Sequence, residues 1–211
     1  MATLFKAIGR PFQSRPSAAS ANNTNEIKTA LQVAIAVSLG LPFFGIGTEQ
    51  APVLGIFCED DANELHRRLV SCCRSMSVNI GDLTNLHWSA RCGEGFEGGS
   101  AGNLIARVDK STGILIKMPL YSQIKKAALD RGARLIILDN ISHIFGGNEN
   151  ERSDVTQFLN LLNELAQTID GAVLLIGHTA KAEGSEYSGC TAWNNDIRSR
   201  WLIKKASPDE D

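Results

Sequence analysis

Three short, continuously apolar runs constrain the fold of this chain more than any other feature of its sequence. They cover residues 53–58 (VLGIFC), 134–139 (RLIILD) and 172–177 (AVLLIG), and amphipathic segments separate them. A strand that is apolar on both faces is typical of a parallel sheet covered by helices on both sides. The sequence therefore predicts an α/β fold of three layers with a mostly parallel sheet, whose ligands bind at the carboxyl ends of the strands.

Helical periodicity fills the intervals between these strands. Residues 28–39 are apolar on nearly all sides, as in a helix buried beneath a sheet. A second helix begins after Asp61, which has capping-box spacing to Glu64. Further helices are predicted over 120–130, ended by Gly132, and from residue 155 onward after a polar loop. Shorter strands are predicted at 86–89 and 198–204.

Composition narrows the class of protein. The 211 residues are 43% hydrophobic and 21% charged, which fits one globular domain. A formal net charge of −2 argues against nucleic-acid binding by bulk electrostatics. Five cysteines without C-x-x-C spacing indicate reduced thiols, as in a cytoplasmic protein. The most apolar stretch, Ala30 to Gly47, is interrupted by polar residues and a proline, so we expect a buried helix and no membrane span.

The first 25 residues differ in composition from the rest. They carry Lys6, Arg10 and Arg15 without any acid, which suits either a transit peptide or a short disordered tail. We predict a disordered or atypical segment over 1–25, one domain over 26–205, and a flexible tail over 206–211.

Polar side chains follow each of the three buried strands. Glu59, Asp60 and Asp61 follow the first, Asp139 the second and His178 the third. Each acid alone could be a helix cap or a turn residue, but parallel strands deliver all of them to one edge of the sheet. Carboxylates that hold Mg²⁺ and activate water, beside a group that senses the γ-phosphate, suit phosphoryl transfer. Lys28 and Thr29, at the start of the first buried helix, would complete such a site.

Five segments carry a family resemblance. In order they are KTALQVAIAVSLG, VLGIFCEDDANELHRRL, RLIILDNISHIFGG, AVLLIGHTAK and GCTAWNNDIRSRWLI. Together, from Lys28 to Ile203, they resemble the RecA-like P-loop ATPase core of the RepA-like hexameric replicative helicases, a group of AAA-class ATPases. The resemblance implies binding and hydrolysis of ATP with Mg²⁺, a homo-oligomeric ring such as a hexamer, and translocation on or loading onto single-stranded DNA in replication.

The resemblance also implies residue roles. Lys28 and Thr29 match the end of the Walker A motif, and Asp139 matches the Walker B aspartate, so that Thr29 and Asp139 would hold the metal. The catalytic set would be Glu59 as the water-activating carboxylate, His178 as the γ-phosphate sensor and Arg198 as the finger that a neighbouring subunit inserts. Arg68 falls where the family places a residue near the nucleotide.

The phosphate loop departs from this pattern. Asn22 and Ile27 stand where G-x-x-x-x-G-K-[ST] has glycines, and the β-branched Ile27 suits positive φ poorly. Residues 13–25 are too polar for a strand, and residues 4–8 are too short and too distant to substitute, so the fold is expected to lack its N-terminal P-loop strand.

Two other functions therefore stay open. One is a catalytically degenerate homologue that acts as a non-enzymatic interaction module. The other is a metal-dependent hydrolase with Glu59, Asp139 and His178 as ligands, a donor set found in metal sites.

Overall fold

The structure, a computed structural model, describes residues 3–9, 26–92, 100–178, 190–195 and 197–203. Its strands and helices follow in chain order as β1 (Thr3–Gly9), α1 (Glu26–Leu39), β2 (Val53–Phe57), α2 (Ala62–Ser75), β3 (Leu86–Ala90), β4 (Ala106–Val108), β5 (Leu115–Lys117), α3 (Pro119–Asp130), β6 (Leu135–Asp139), α4 (Ile141–Ile144), β7 (Phe145–Gly146), α5 (Arg152–Thr168), β8 (Ala172–His178), α6 (Ala192–Asn195) and β9 (Ser199–Ile203). Short 3₁₀ turns cover Ile80–Asp82 and Ser100–Asn103.

The main sheet confirms the predicted α/β class. Its strand order is β3-β2-β6-β8-β1-β9, and the four strands from β3 to β8 are parallel to their neighbours. The strands β2 and β6 are buried along their whole length, as their apolar sequences require. A small second sheet, β5-β4-β7, lies beside it and was not predicted.

Two apolar clusters cover the two faces of the main sheet, which gives the predicted three layers. One cluster joins α1 and α2 to alternate residues of β2, β6 and β8. The other joins α3, α4, α5 and α6 to the intervening residues of the same strands. Because each strand contributes to both clusters, both of its faces are dry, and the polar residues that follow the strands lie at the sheet edges.

Residues 4–8 lie within a strand, contrary to the expectation that they are too short, but this strand does not substitute for the P-loop strand. Thr3–Gly9 forms β1 between β8 and β9 and pairs in antiparallel register with both, from Thr3 opposite His178 to Gly9 opposite Ala172. This strand of seven residues does not have to be close to α1 in the sequence, because its pairing partners β8 and β9 come from the far end of the chain. Because β1 runs antiparallel to β8 and β9, its last residue lies at the amino edge of the sheet, whereas a P-loop strand ends at the carboxyl edge. Residues 13–25 lie outside the described part of the chain.

Two predictions that depend only on residues close together in the sequence, a helix cap and a helix end, are confirmed. The Asp61 side chain accepts a hydrogen bond from the Glu64 N–H at 2.8 Å, which caps α2. Gly132 follows α3 with a φ of +61°, a conformation that favours glycine. The domain division stays a prediction, with β1 lying inside the segment assigned to 1–25. Among the described residues, no helix combines the length and the apolarity needed to cross a bilayer.

Candidate active site at the carboxyl edge of the sheet

The two neighbouring strands β2 and β6 bring two predicted carboxylates together. Their parallel register sets Phe57 opposite Asp139, and the Cys58 N–H donates to the Asp139 carbonyl oxygen at 2.8 Å, which extends the pairing beyond the end of β2. Glu59 is the next residue along the chain. Asp139 is 2% exposed, whereas the Glu59 side chain is 37% exposed. A buried carboxylate and a solvent-facing one therefore lie side by side at this edge.

Contacts from two further segments surround Glu59. The Asn140 side-chain amide donates a hydrogen bond to Glu59 Oε1, and His143 Nε2 of α4 lies 3.9 Å from the same oxygen. The Cys92 thiol, just beyond β3, donates to the Glu59 main-chain oxygen at 3.3 Å. The peptide bond between Asp139 and Asn140 is cis. Glu59 is thus held through both its backbone and its side chain.

Burial keeps the neighbouring thiol protonated. The pKa of Cys58 is raised to about 12, first because the thiol is buried and second because the Asp139 carboxylate lies nearby. A thiolate is the form that attacks electrophiles and binds soft metals. Cys58 is therefore a packing residue at neutral pH and leaves the chemistry of this edge to the carboxylates.

Arg68 lies at the same edge, on the first half of α2. Its Nε is 2.8 Å from Asp60 Oδ2 and 2.9 Å from Glu64 Oε1. Burial raises the pKa of Asp60, and the positive charge of Arg68 acts in the opposite direction. The guanidinium is thus oriented by two carboxylates next to Glu59, close to where the resemblance implies a nucleotide contact.

Lys28 and Thr29 lie in the first turn of α1, and their place in the nucleotide site stays a prediction. The Lys28 carbonyl oxygen accepts a hydrogen bond from the Cys72 thiol at 3.6 Å, in the last turn of α2. Thr29 is buried against the core. The helix α1 contacts α2, β3, β2 and β6. Its last turn lies at the amino edge of the sheet, where the Val37 carbonyl oxygen accepts from the Ala51 N–H, so its first turn points away from that edge.

The remaining two predicted residues lie on the β8 side of the sheet. His178 is the last residue of β8, which neighbours β6, so its backbone is at the same edge; its side chain lies outside the described part of the chain. Arg198 is exposed and precedes β9, whose first residue Ser199 is level with Leu174 in the middle of β8. Four strand spacings, about 19 Å, separate β9 from β2. Arg198 is therefore remote from Glu59 of its own chain.

The carboxylate oxygens at the carboxyl edge suit a hard cation on the metal side of the predicted site. Carboxylate oxygens are the ligands that Mg²⁺ prefers, and Asp139 and Glu59 supply them where two parallel strands end. The phosphate side, for which Lys28 and Thr29 are the predicted residues, stays a prediction. Within the described residues, no group of three or more His, Cys, Asp and Glu side chains could hold a metal; the His178 side chain is outside that set.

Sequence reasoning missed Asn140 and His143 as neighbours of Glu59. Asn140 was visible as the residue after the apolar strand, but nothing in its local pattern indicated which side chain its amide would meet. His143 lies in α4, a single helical turn inside a segment predicted only as the approach to a loop.

Comparison with known families adds one finding. A family model described as an AAA domain matches residues 28–184, which is most of the chain and includes β2, β6 and β8. No curated protein matches the sequence. The match agrees with the mostly parallel sheet, which is consistent with a RecA-like P-loop fold.

Proposed function

The chain belongs to the AAA-domain family of P-loop ATPases, and we propose that it binds Mg·ATP at the carboxyl edge of its sheet and hydrolyses it. Members of such families use a nucleotide and typically Mg²⁺. The observation that carries the proposal is the pairing of β2 with β6, which places Glu59 beside Asp139 at the edge where open α/β sheets bind ligands.

In this proposal the two carboxylates have different tasks because their surroundings differ. Asp139, buried at the end of β6, is the ligand to the metal, which when bound neutralises charge on the phosphates. Glu59 is accessible to water, and its carboxylate orients a water molecule and accepts its proton. Arg68, held by Asp60 and Glu64, provides a positive charge at the rim of the site. His178 is proposed to sense the γ-phosphate from the end of β8.

The finer proposal is that the chain works as a ring of the replicative-helicase type, coupling hydrolysis to translocation on, or loading onto, single-stranded DNA. The resemblance of the five segments supports it. The position of Arg198 supports the ring in particular, because an exposed arginine about 19 Å across the sheet from Glu59 is too far away to serve that site in its own chain and is accessible to another copy. Head-to-tail contacts of this kind close into rings. The DNA partner is tested by whether single-stranded oligonucleotide stimulates turnover.

Replacing Arg198 with alanine is expected to remove the rate gained on assembly and to leave the dilute monomer unchanged. Turnover per subunit is measured against protein concentration, with sedimentation reporting the assembly state. Mixing the Arg198→Ala and Glu59→Gln variants is expected to restore part of the rate, because one subunit then supplies the site and its neighbour the arginine. Arg74→Ala, which removes another exposed arginine, is the control. Equal rates for monomer and assembly would refute the finger assignment.

A second candidate function is a non-catalytic interaction module, and the start of α1 favours it. Ile27, which stands where the phosphate loop has its second glycine, is a helical residue 3% exposed in the core beneath the sheet. Lys28 follows it, and its main-chain carbonyl oxygen accepts a hydrogen bond from Cys72. The start of α1 is thus packed as helix at the point where a phosphate loop needs a glycine.

Nucleotide binding separates the two candidates. If the chain is an ATPase, a fluorescent ATP analogue binds with micromolar affinity in the presence of Mg²⁺, and Lys28→Ala reduces that affinity by about 10²-fold, as expected when a charged hydrogen bond to phosphate is lost. Lys110→Ala, on the turn between β4 and β5, is the matched control and keeps wild-type affinity. Absence of binding by the wild-type chain would favour the interaction module.

A further inference from the structure

We infer that Asn140 is a positioning residue for Glu59: its buried amide fixes the carboxylate in the orientation needed to accept a proton from water. The inference rests on the proposed function, since Glu59 has a catalytic role only if the chain hydrolyses ATP. It starts from the hydrogen bond that Asn140 Nδ2 donates to Glu59 Oε1, between residues 81 positions apart in the sequence.

The side chain of Asn140 does not make the hydrogen bond that is usual at its position in the chain. Asn140 is the N-cap residue of α4, where an asparagine usually accepts a hydrogen bond from a backbone N–H of the first turn. Here no such cap is formed. The amide nitrogen is directed at Glu59 of the neighbouring strand, so the contact replaces a local stabilising bond with one across the site.

The chemistry of Glu59 sets which end of the amide faces it. An ionised carboxylate only accepts hydrogen bonds, so the NH₂ group must point toward it and Asn140 Oδ1 must point the other way. There Oδ1 accepts a hydrogen bond from the Ser142 hydroxyl at 2.6 Å. Ser142 and Asn140 therefore form a relay of two donors, hydroxyl to carbonyl oxygen and amide to carboxylate, that ends on the proposed base.

Asn140 is the fixed partner of this hydrogen bond, because it is buried more deeply than Glu59. Asn140 is 1% exposed and follows the end of β6, whereas the Glu59 side chain is 37% exposed and belongs to a residue type with large rotamer freedom. Fixing an exposed carboxylate to a buried amide limits its rotamers before substrate arrives. His143, 3.9 Å from the same carboxylate oxygen, limits them from α4. A general base must be held this way, because misplacement by about 1 Å can cost 10²-fold in rate.

The test is a set of variants in the full chain, with steady-state ATP turnover and thermal unfolding as separate readouts. Asn140→Asp replaces the donor with a second carboxylate, and we expect kcat to fall by about 10²-fold while KM for ATP stays within about threefold. Asn140→Ala and Ser142→Ala are expected to lower kcat by smaller factors, again without a matching change in KM. Asn79→Asp is the matched control, since the introduced carboxylate can still accept the Gly81 N–H hydrogen bond that Asn79 Oδ1 accepts at 2.9 Å.

A charge-swapped double variant tests the contact without reference to activity. In Glu59→Gln with Asn140→Asp, the new amide at position 59 can donate to the new carboxylate at position 140. The unfolding midpoint, lowered in Asn140→Asp by two facing carboxylates, is then expected to return to that of Glu59→Gln, although turnover stays lost.

Two outcomes overturn the inference and are distinguishable from each other. Wild-type kcat in both Asn140 variants, with turnover still abolished by Glu59→Gln, refutes the positioning role alone. No turnover by the wild-type chain refutes the proposed function and the positioning role with it. Parallel losses in kcat, KM and the unfolding midpoint without recovery in the double variant would assign Asn140 a purely structural role, which also contradicts the inference.

Discussion

Replacing Glu59 with glutamine is expected to lower ATP turnover by about 10²–10⁴-fold and to leave Mg·ATP affinity within about threefold, the effect of removing a general base. The substitution is close to isosteric. The introduced side chain keeps an Oε1 that can accept from Asn140, and the main-chain oxygen of this position still accepts from Cys92, so the carboxyl edge keeps its shape. What is lost is the carboxylate that takes the proton from water.

Single-turnover hydrolysis and equilibrium binding of the same nucleotide provide the two measurements. The matched control is Glu49→Gln, the same change at an exposed residue that lines a cavity of about 580 Å³ at the opposite, amino edge of the sheet. It is expected to turn over ATP at the wild-type rate. Glu59→Gln with undiminished hydrolysis would mean that another group activates the water, and it would remove Glu59 from the mechanism.

The sequence predicted those parts of the fold that depend on neighbours along the chain. The buried strands β2, β6 and β8 are apolar up to the last residue of β6, Asp139, and of β8, His178, because both of their faces are covered, and such runs are visible without any knowledge of pairing. The cap at Asp61 is local for the same reason, since donor and acceptor are three residues apart. The edge at which Glu59 and Asp139 meet follows from these strands alone.

The parts that were not predicted depend on contacts between distant segments. The strand β1 is stabilised by β8 and β9, more than 160 residues away, and its sequence LFKAI carries no signal of that pairing. The hydrogen bond of Asn140 to Glu59 joins the segments that follow two different strands, β6 and β2. The sequence pattern along one strand cannot show that such a bond forms.

The position of Lys28 has a related cause. A motif fixes the spacing of Lys28 and Thr29 along the chain, but the packing of α1 against α2 decides where the helix begins in space. An apolar residue in the first turn, such as Ile27, is driven into the core, whereas Lys28 stays partly exposed. The glycines missing from the phosphate loop would have allowed a tight turn at this point; an isoleucine in their place favours a continued helix.

Trp193→Ala is expected to lower the free energy of unfolding by about 3–5 kcal/mol, the usual cost of truncating a buried aromatic residue. Trp193 is 1% exposed, and its ring meets Phe145 and Phe158 edge-on at centroid distances of 6.1 and 6.3 Å. These contacts attach α6 to β7 and α5. Denaturant unfolding followed by far-ultraviolet circular dichroism measures the change.

Trp193→Phe separates the two ways in which this ring is held. The indole Nε1 donates to the Glu149 carbonyl oxygen at 3.1 Å, and the same oxygen accepts from the Cys190 N–H at 3.0 Å. Phenylalanine keeps much of the aromatic packing and removes one hydrogen bond from an oxygen that retains another, so we expect a loss of only about 1 kcal/mol from the missing bond. If the free energy of unfolding of Trp193→Ala lies within about 1 kcal/mol of the wild-type value, the ring does not anchor α6.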